Sequence, residues 1–330
     1  MLKIGVLGAG HLGKIHLKCI QLASDKLELV GFYDADPKNA EKVSESLGVT
    51  AFKDIESLID AVDIIDIVTP TTTHFYLAKR AIQKGKHLFI EKPITHTVEE
   101  AEQLLELTQK HGVKVQVGHV ERFNPALLAI DAKELNPKFI EAHRLAIFNP
   151  RGTDVSVVLD LMIHDIDIIL SVIKSEVVSI HANGVAVVSP TPDIANARLE
   201  FANGAVANIT TSRISMKQMR KVRLFQKDAY ISLDFLEKQA QVIRMFDKDD
   251  GAVAQLDNLM ELQTADSTKY IHIDMPPIEP SNAIKMELET FADSIENNTR
   301  PKVSIEDGYN ALKVAYGIIA EIEAKASALQ

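Results

Sequence analysis

The sequence predicts an α/β protein with two domains: a doubly wound parallel sheet in residues 1–122, and an α+β domain with an open, mainly antiparallel sheet in residues 123–330. In the first domain, short apolar strands alternate with amphipathic helices, which is the pattern of a parallel sheet with crossover helices. In the second domain, runs of alternating apolar and polar residues follow one another. Such runs indicate antiparallel strands with one face packed on helices.

The predicted elements of the first domain alternate regularly. Its strands are 2–8, 28–34, 63–69, 87–92 and 114–118, and its helices lie near 12–23, 37–47, 73–84 and 97–111. Gly48, Gly85 and Gly112 stand where three of these helices end, a common place for glycine. The second domain is predicted to contain a strand at 139–147, a helix at 155–173, strand runs at 177–188, 194–204, 205–215, 220–235 and 240–246, and closing helices at 283–298 and 306–327. The acidic segment 247–282 is predicted to be a loop.

Composition excludes several classes of protein. With 46% hydrophobic and 25% charged residues, the chain has the composition of a soluble globular protein. A net charge of −10 gives no electrostatic support for binding nucleic acid or an anionic membrane. Cys19 is the only cysteine, which excludes an internal disulfide and a multi-cysteine metal site. No signal peptide or membrane-spanning run is evident, so we expect a cytoplasmic protein.

A glycine motif, 8-GAGHLG-13, follows the first predicted strand and opens a helix, and it matches the pattern G-x-G-x-x-G. Such glycines allow a tight turn and a close approach of the backbone to a pyrophosphate at the helix N-terminus. Asp34 ends the next strand, 21 residues after Gly13, where an acid is expected to accept from a ribose hydroxyl. Asp34 would repel a 2′-phosphate, and no Arg stands beside it in 34-DADPK-38, so we predict NAD rather than NADP. The predicted cofactor contacts in this motif are Gly8, Gly10, His11, Leu12 and Gly13.

An apolar helix, 159-LDLMIHDIDIIL-170, carries ionisable residues that are costly to bury without partners. On an ideal α-helix, His164 lies about 40° from Asp160, and Asp167 about 20° to the other side, so these three share one face. Asp165 lies nearly opposite. Such a polar face could be a metal site, a buried ion-pair network or a row of catalytic groups.

The residues 91-EKP-93 end the fourth predicted strand. A residue before proline favours extended backbone, so Lys92 is predicted to leave the sheet at its carboxyl edge. Open parallel sheets bind their ligands at that edge. A lysine at a strand end is often only a solvated charge, but the glycine motif in the same sheet favours a role at the cofactor.

The order of these three motifs resembles that of the Gfo/Idh/MocA oxidoreductase family, and 69-TPTTTH-74 and 306-EDGYNAL-312 agree with it. The resemblance covers essentially the whole chain. It implies a Rossmann domain joined to an open-faced α+β domain, oxidation or reduction of sugars and polyols with NAD(P), and a homodimer or homotetramer. It also implies that Lys92, Asp160 and His164 are catalytic, and that further cofactor contacts come from Thr69, Pro70, His74, Glu91 and Lys92. For His74, a purely structural hydrogen bond is the alternative.

The chemistry of alcohol oxidation fits these residue types. Hydride passes to the nicotinamide, and a base must accept the hydroxyl proton. The ordinary pKa of an imidazole, about 6.5, suits His164 to that role, while Lys92 could either stabilise an alkoxide or act as the base itself. Asp160 could orient the imidazole or contact a second hydroxyl. A metal held by Asp160 and His164, or a purely structural pair, is an alternative, but no third His or Cys is evident nearby and we predict no metal.

The substrate is predicted from 116-QVGHVERFNPA-126 and the polar helix, which are most similar to the branch of the family containing UDP-N-acetylglucosamine 3-dehydrogenase and related nucleotide-sugar dehydrogenases. A diphosphate requires cationic partners, and Arg suits phosphate best. The predicted substrate contacts are Lys92, Arg122, Arg151, Asp160, His164 and Arg213. A dehydrogenase or reductase of a free sugar, polyol or other carbonyl compound, or a non-catalytic NAD-binding regulator, remains the alternative. Asp165 either pairs with a basic group or contacts substrate.

Overall fold

A computed structural model describes residues 1–149, 155–263 and 267–328. The chain divides into two compact units. Unit 1 comprises Met1–Phe123 and Asn282–Lys313, and unit 2 comprises Asn124–Ser281 and Val314–Gln330. The predicted division into 1–122 and 123–330 differs from this arrangement because residues 282–313 return to the N-terminal unit.

The described residues of unit 1 form a five-stranded sheet in which every neighbouring pair is parallel. Its strands are β1 (Leu2–Leu7), β2 (Leu27–Tyr33), β3 (Ile64–Ile67), β4 (His87–Glu91) and β5 (Val115–Gly118), in the order β2-β1-β3-β4-β5. The accompanying helices are α1 (His11–Leu22), α2 (Pro37–Leu47), α3 (Ile55–Ala61), α4 (His74–Gln83) and α5 (Val98–His111). This is the predicted doubly wound parallel sheet, and α3 is an addition to the prediction. The strand order reverses beside β1, where such sheets bind their ligands.

Local sequence explains where the helices of unit 1 begin and end. The Asp36 side chain accepts from the backbone N–H of Lys38 at the start of α2. Thr97 and Glu100 form a reciprocal capping box at the start of α5. Both helices end at a glycine in the left-handed conformation, Gly48 and Gly112, which a residue with a side chain adopts only at a cost.

Helix α8 (Ala283–Glu296) belongs to unit 1 because its apolar face completes the core of the parallel sheet. Leu288 and Phe291 are each 1% exposed, and they lie in one buried cluster with residues of β1 and α1. The Phe291 ring packs edge-on against Phe89 of β4, with the two ring centroids 6.3 Å apart. The return of residues 282–313 therefore supplies apolar surface that one side of the sheet would otherwise lack.

The described residues of unit 2 form a nine-stranded sheet. Its strands are β6 (Phe139–Leu145), β7 (Val177–Val185), β8 (Ile194–Phe201), β9 (Val206–Ser212), β10 (Met219–Phe225), β11 (Ala229–Asp234), β12 (Gln239–Asp247), β13 (Met260–Gln263) and β14 (Thr268–Asp274), in the order β13-β14-β12-β11-β10-β6-β9-β8-β7. All neighbours are antiparallel except β6 and β9. The mainly antiparallel sheet was therefore predicted correctly. The prediction of a loop over 247–282 was wrong in part, because β13 and β14 extend the sheet at that edge.

The helices of unit 2 cover one face of its sheet. They are the short α6 (Pro125–Leu128), α7 (Ile163–Val172) with a π-helical turn (Val158–Met162) before it, and the second part of α9 (Ile305–Ala328), whose first residues belong to unit 1. Alternate residues of β8, such as Ala195, Ala197 and Leu199, are buried. Across the described residues of both units, no helix combines the length and apolar character needed to span a membrane.

Candidate functional site

The glycine motif forms the turn between β1 and α1, and its three glycines do different work. Gly8 has a φ of +96°, and a Cβ built on it would lie 2.7 Å from the Val68 carbonyl oxygen. A Cβ on Gly13 would lie 2.0 Å from the Gly8 carbonyl oxygen, so the first turn of α1 packs directly on the loop. A Cβ on Gly10 would meet no described atom within 4 Å. Gly8 and Gly13 are therefore required by the packing of the turn itself. Gly10 instead faces open space from which a ligand can approach.

Asp34 is tied to the same loop. Its Oδ2 accepts from the backbone N–H of Ala9 at 2.8 Å and from the Asn39 amide at 3.0 Å, and its Oδ1 accepts from the Asp36 N–H at 2.9 Å. The Asn39 amide also donates to the Ala9 carbonyl oxygen. A carboxylate has about four acceptor positions, so Asp34 keeps room for a hydroxyl donor. Asn39 was not among the predicted site residues, because no sequence motif marks it.

His74 joins the segments that follow β3 and β4. Its Nε2 lies 2.9 Å from the carbonyl oxygen of Thr69, and its Nδ1 lies 3.0 Å from that of Pro93. Burial lowers the pKa of His74, and a neutral imidazole donates to only one of these acceptors. His74 is 1% exposed, so in the free chain it acts as a brace between two loops, while Thr69 and Pro70 lie nearer the surface. Its predicted contact with the cofactor stays a prediction.

Glu91 and Lys92 mark the carboxyl end of β4, and the peptide bond between Lys92 and Pro93 is cis. The Lys92 side chain is partly exposed, whereas Glu91 is 8% exposed. Glu91 Oε2 accepts from the Lys92 backbone N–H at 3.1 Å, and a Cβ on Gly118 would lie 2.7 Å from Glu91 Oε1. Because Gly118 has no side chain, the Glu91 carboxylate has room to lie beside the Lys92 backbone.

In unit 2, Asp160 and His164 are both partly exposed, whereas Asp167 is 1% exposed. Asp160 lies in the π-helical turn, and its N–H donates to the Ser156 carbonyl oxygen at 2.9 Å. Because a π-helical turn holds more residues than an α-helical turn, the predicted angle of about 40° between Asp160 and His164 does not apply. Such single turns often occur at functional sites.

Asp165 is held by a buried ion pair. Arg144, on β6, donates from Nε to Asp165 Oδ2 and from Nη2 to Oδ1, each at 2.9 Å. The two side chains are 4% and 2% exposed. Of the two readings of Asp165, pairing with a basic group is therefore the one that the structure supports, and the pair fastens α7 to the sheet.

Arg213 follows β9 and reaches the segment before the polar helix. Its Nη2 donates to the Val155 carbonyl oxygen at 2.5 Å, and the residue is 6% exposed. Its own N–H donates to the carbonyl oxygen of Asp193, whose carboxylate accepts from the backbone N–H groups of 187–189. Arg213 thus positions the start of the helix, and Arg151, predicted in that same segment, lies outside the described residues.

Arg122 lies in a short 3₁₀ turn (Val120–Phe123) of unit 1 and is partly exposed. Lys302, a cationic neighbour of Arg122, was not among the predicted site residues. Burial and the charge of Arg122 lower the pKa of Lys302, whose Nζ lies 4.9 Å from the centroid of the Phe123 ring. Two cations held near each other attract an anion more strongly than either does alone.

The predicted residues thus fall into two groups. Unit 1 holds the glycine motif, Asp34 and the segments at 69–74 and 91–92, all at the carboxyl ends of parallel strands. Unit 2 holds Asp160, His164 and Arg213. Lys92 and His164 therefore belong to different units, and their joint role in one reaction stays a prediction.

Comparison with known proteins decides the family. Residues 2–119 match the model described as the oxidoreductase family with an NAD-binding Rossmann fold, and residues 137–231 match the GFO/IDH/MocA C-terminal domain. The chain belongs to the Gfo/Idh/MocA family of oxidoreductases. The resemblance found in the sequence motifs is confirmed.

Two relatives illustrate the range of similarity. The chain is 38% identical to UDP-N-acetylglucosamine 3-dehydrogenase of Acidithiobacillus ferrooxidans over 242 residues, which cover 73% of this chain and 76% of the relative. A solved structure of that A. ferrooxidans enzyme matches with a TM-score of 0.87 at 32% identity and covers 98% of both chains. The scyllo-inositol 2-dehydrogenase (NAD(+)) of Bacillus subtilis is 31% identical over 64% of this chain and 68% of its own.

The different surroundings of Gly10 and Gly13 predict different effects of adding one methyl group. Gly10→Ala should leave the melting temperature within about 2 °C of the wild type, because its φ of −65° suits any residue and the space is open. The same change should weaken NADH binding roughly ten-fold or more, since the methyl group occupies the approach to the loop. Gly13→Ala should destabilise the chain by about 1–3 kcal/mol. Thermal unfolding and NADH titration by fluorescence measure the two effects. Equal NADH affinity in Gly10→Ala and wild type would contradict this placement of the cofactor.

The buried pair of Arg144 and Asp165 predicts a structural rather than catalytic effect. Arg144→Met should lower the free energy of unfolding by about 3–5 kcal/mol, because the Asp165 carboxylate is then buried beside an apolar side chain. Adding Asp165→Leu should recover most of that loss. Urea denaturation followed by circular dichroism measures both.

A surface pair provides the matched control. Lys221 and Asp234, on neighbouring strands, form an ion pair whose lysine side chain is 49% exposed, and Lys221→Met should cost at most about 1 kcal/mol. If Arg144→Met cost no more than Lys221→Met, the buried pair would not hold α7 to the sheet.

Proposed function

We propose that this oxidoreductase uses NAD to oxidise a secondary hydroxyl of a nucleotide sugar, and that the 3-hydroxyl of UDP-N-acetylglucosamine is the first substrate to test. The observation that carries the proposal is the similarity to the A. ferrooxidans enzyme, 38% identical over 73% of this chain and matched in structure over 98% of it. Residues 116–126 and the polar helix suggest the nucleotide-sugar branch of the family. Both segments lie within the part of the chain that the structure describes.

The catalytic roles follow from the residue types. NAD accepts a hydride from the carbon that bears the hydroxyl, so a protein group must accept the hydroxyl proton. His164 is assigned as that base, with Asp160 orienting its imidazole or binding a neighbouring hydroxyl. Lys92 is assigned to stabilise the developing alkoxide with its positive charge. Their partial exposure in each unit supports access to a substrate.

NAD is proposed over NADP because of Asp34. Its carboxylate is fixed by Ala9 and Asn39 at the edge of the glycine loop, where a ribose hydroxyl can donate to it. A 2′-phosphate at the same place would bring two negative groups together. The substrate diphosphate requires cations, for which Arg122 with Lys302, Arg151 and Arg213 are the proposed sources.

The test is an assay of NADH absorbance with a panel of UDP-N-acetylglucosamine, other UDP-sugars, free sugars and inositols, with a ketone trap to pull the reaction forward. We expect NADH from one UDP-sugar. Lys92→Ala and His164→Ala should each lower kcat by about 100-fold or more while NADH binding persists. Lys110→Ala and His111→Ala remove an exposed lysine and histidine at the end of α5 and should leave kcat unchanged.

Other outcomes discriminate between the alternatives. NADH formed with an inositol or a free sugar but with no UDP-sugar would overturn the nucleotide-sugar assignment and retain the dehydrogenase. Tight NADH binding with no turnover across the panel would favour a non-catalytic regulator. Turnover that survives both alanine variants would remove Lys92 and His164 from the mechanism.

A homodimer or homotetramer in the cytoplasm, formed through the sheet of unit 2, completes the proposal. Ala240 and Val242 of β12 are buried, so Met245 on that strand lies on the opposite face of the sheet. The register places Ile273 of β14 on the same face as Met245. These two side chains are 52% and 41% exposed, and a second copy of the chain would cover them.

Light scattering of the purified protein tests this arrangement. We expect a mass of two or four chains, and a shift towards the monomer in Met245→Lys/Ile273→Lys because two charges would have to be buried at the interface. Met216→Lys, at a residue 93% exposed outside the strands, should not change the mass. A monomeric wild-type protein would refute the assembly.

A further inference from the structure

Four ionisable side chains meet in the interior of unit 1, below the loop that carries Lys92. They are His16 of α1, Asp66 of β3, Glu91 of β4 and Glu287 of α8, and their exposures are 0%, 0%, 8% and 0%. His16 Nδ1 lies 2.9 Å from Asp66 Oδ2, and His16 Nε2 lies 3.1 Å from Glu91 Oε1. One ligand atom from each of His16, Glu91 and Glu287 lies within 4.8 Å of the other two.

Glu287 is the member that needs an explanation. Its two carboxylate oxygens are fully buried and accept no hydrogen bond from any residue that the structure describes. Gln116, whose amide donates to the Glu287 backbone carbonyl at 2.6 Å, also has a buried side-chain oxygen without a donor among those residues. An ionised carboxylate in such surroundings is unfavourable by several kcal/mol unless a positive charge compensates it.

The electrostatics of the cluster indicate an excess of negative charge. Burial, with the nearby Glu91 carboxylate, raises the pKa of Glu287 well above its ordinary value. Burial also raises the pKa of Asp66, although His16 opposes it. Burial alone would lower the pKa of His16, but Asp66 and Glu91 together raise it well above its ordinary value. His16, Asp66 and Glu287 thus each favour the protonated state, which adds positive charge to the cluster.

We propose that His16, Glu91 and Glu287 bind a divalent transition-metal ion, with Zn²⁺ as the best match, and that Asp66 orients the imidazole. One imidazole nitrogen and two carboxylates form a donor set that Zn²⁺ accepts. Mg²⁺ and Ca²⁺ require six or more ligands, mostly oxygens, whereas a tetrahedral Zn²⁺ needs one donor beyond these three. The second carboxylate oxygen of Glu287, which accepts no hydrogen bond from the described residues, can supply it. The hydrogen bond from His16 to Asp66 is the arrangement that commonly fixes a metal-binding histidine.

The spacing suits such an ion. Bonds of about 2.1 Å in a tetrahedral site place neighbouring ligand atoms about 3.4 Å apart. The 3.1 Å between His16 Nε2 and Glu91 Oε1 is close to that value, and one Glu287 carboxylate oxygen lies within 4.8 Å of the ligand atoms of both residues. The donors come from α1, β4 and α8, so the ion would fasten the helix that returns from residue 283 to the core of the sheet.

The ion has a structural role and takes no part in the proposed hydride transfer. It holds Glu91 Oε1, while Oε2 of the same carboxylate accepts from the backbone N–H of Lys92. The site would therefore fix the backbone at the predicted catalytic lysine. This inference is independent of the substrate, because metal content and stability are measured without any assay of activity.

The experiment uses the full-length chain, unfolded in denaturant with a chelator and refolded with Zn²⁺, with Co²⁺, or with no metal. After dialysis, mass spectrometry of the elements should find about one ion per chain, and Co²⁺ should show the visible absorption of a low-coordinate site. Bound Zn²⁺ should raise the melting temperature by several degrees. Glu287→Gln keeps the shape of the side chain and should lose both the ion and the thermal shift.

The control is Glu296→Gln, which changes an exposed glutamate at the end of the same helix and should bind metal like the wild type. Metal retained by Glu287→Gln would place the ion elsewhere and overturn the proposal. Refolded wild-type protein without bound metal would also overturn it. In that case Glu287 holds a proton, and Glu287→Gln, which mimics the protonated carboxyl, should melt at or above the wild-type temperature.

Discussion

The contact between the first turn of α1 and the glycine loop is the constraint on which unit 1 depends. Gly13 approaches the Gly8 carbonyl so closely that no side chain fits, and this approach sets the position of the helix on the sheet. The same contact leaves Gly10 facing open space, and it brings His16, one turn later, into the interior beside Asp66. The close contact between Gly13 and Gly8 thus accounts both for the open approach to Gly10 and for the buried position of His16 beside Asp66.

The two units compensate buried charge in different ways. In unit 2, Arg144 and Asp165 satisfy each other with two parallel hydrogen bonds, so the pair is complete within the chain. In unit 1, His16 is the only cation in a cluster with three carboxyl groups. An ion pair whose charges balance needs no further ligand. A buried cluster with more carboxylates than cations is stabilised when it binds a proton or a metal ion. Glu287 can therefore take a ligand, whereas Asp165 is already satisfied by Arg144.

Much of the fold could be predicted because its signals are local. The alternation of strands and helices in unit 1, and the period of two in β8 and β9, predicted the correct sheets. The order of the three sequence motifs carried the resemblance to the family that the comparisons confirmed. The errors have local causes as well. Helix α3 is short, and β13 is exposed throughout, so neither carries a strong periodic signal. The return of residues 282–313 to unit 1 left no mark on the periodicity, because an amphipathic helix looks the same whichever surface covers it.

The sequence by itself located the glycine loop, the acid at residue 34 and the lysine at residue 92, because each is marked by a glycine pattern or by its position at the end of a predicted strand. Only the tertiary structure showed that Asn39 donates a hydrogen bond to Asp34, that Arg144 pairs with Asp165, and that Glu287 lies close to His16. His16 and Glu287 stand 271 positions apart in the sequence, and no spacing rule connects them. Their meeting depends on the packing of Phe291 and Leu288 against the parallel sheet, a contact set by apolar burial rather than by any motif.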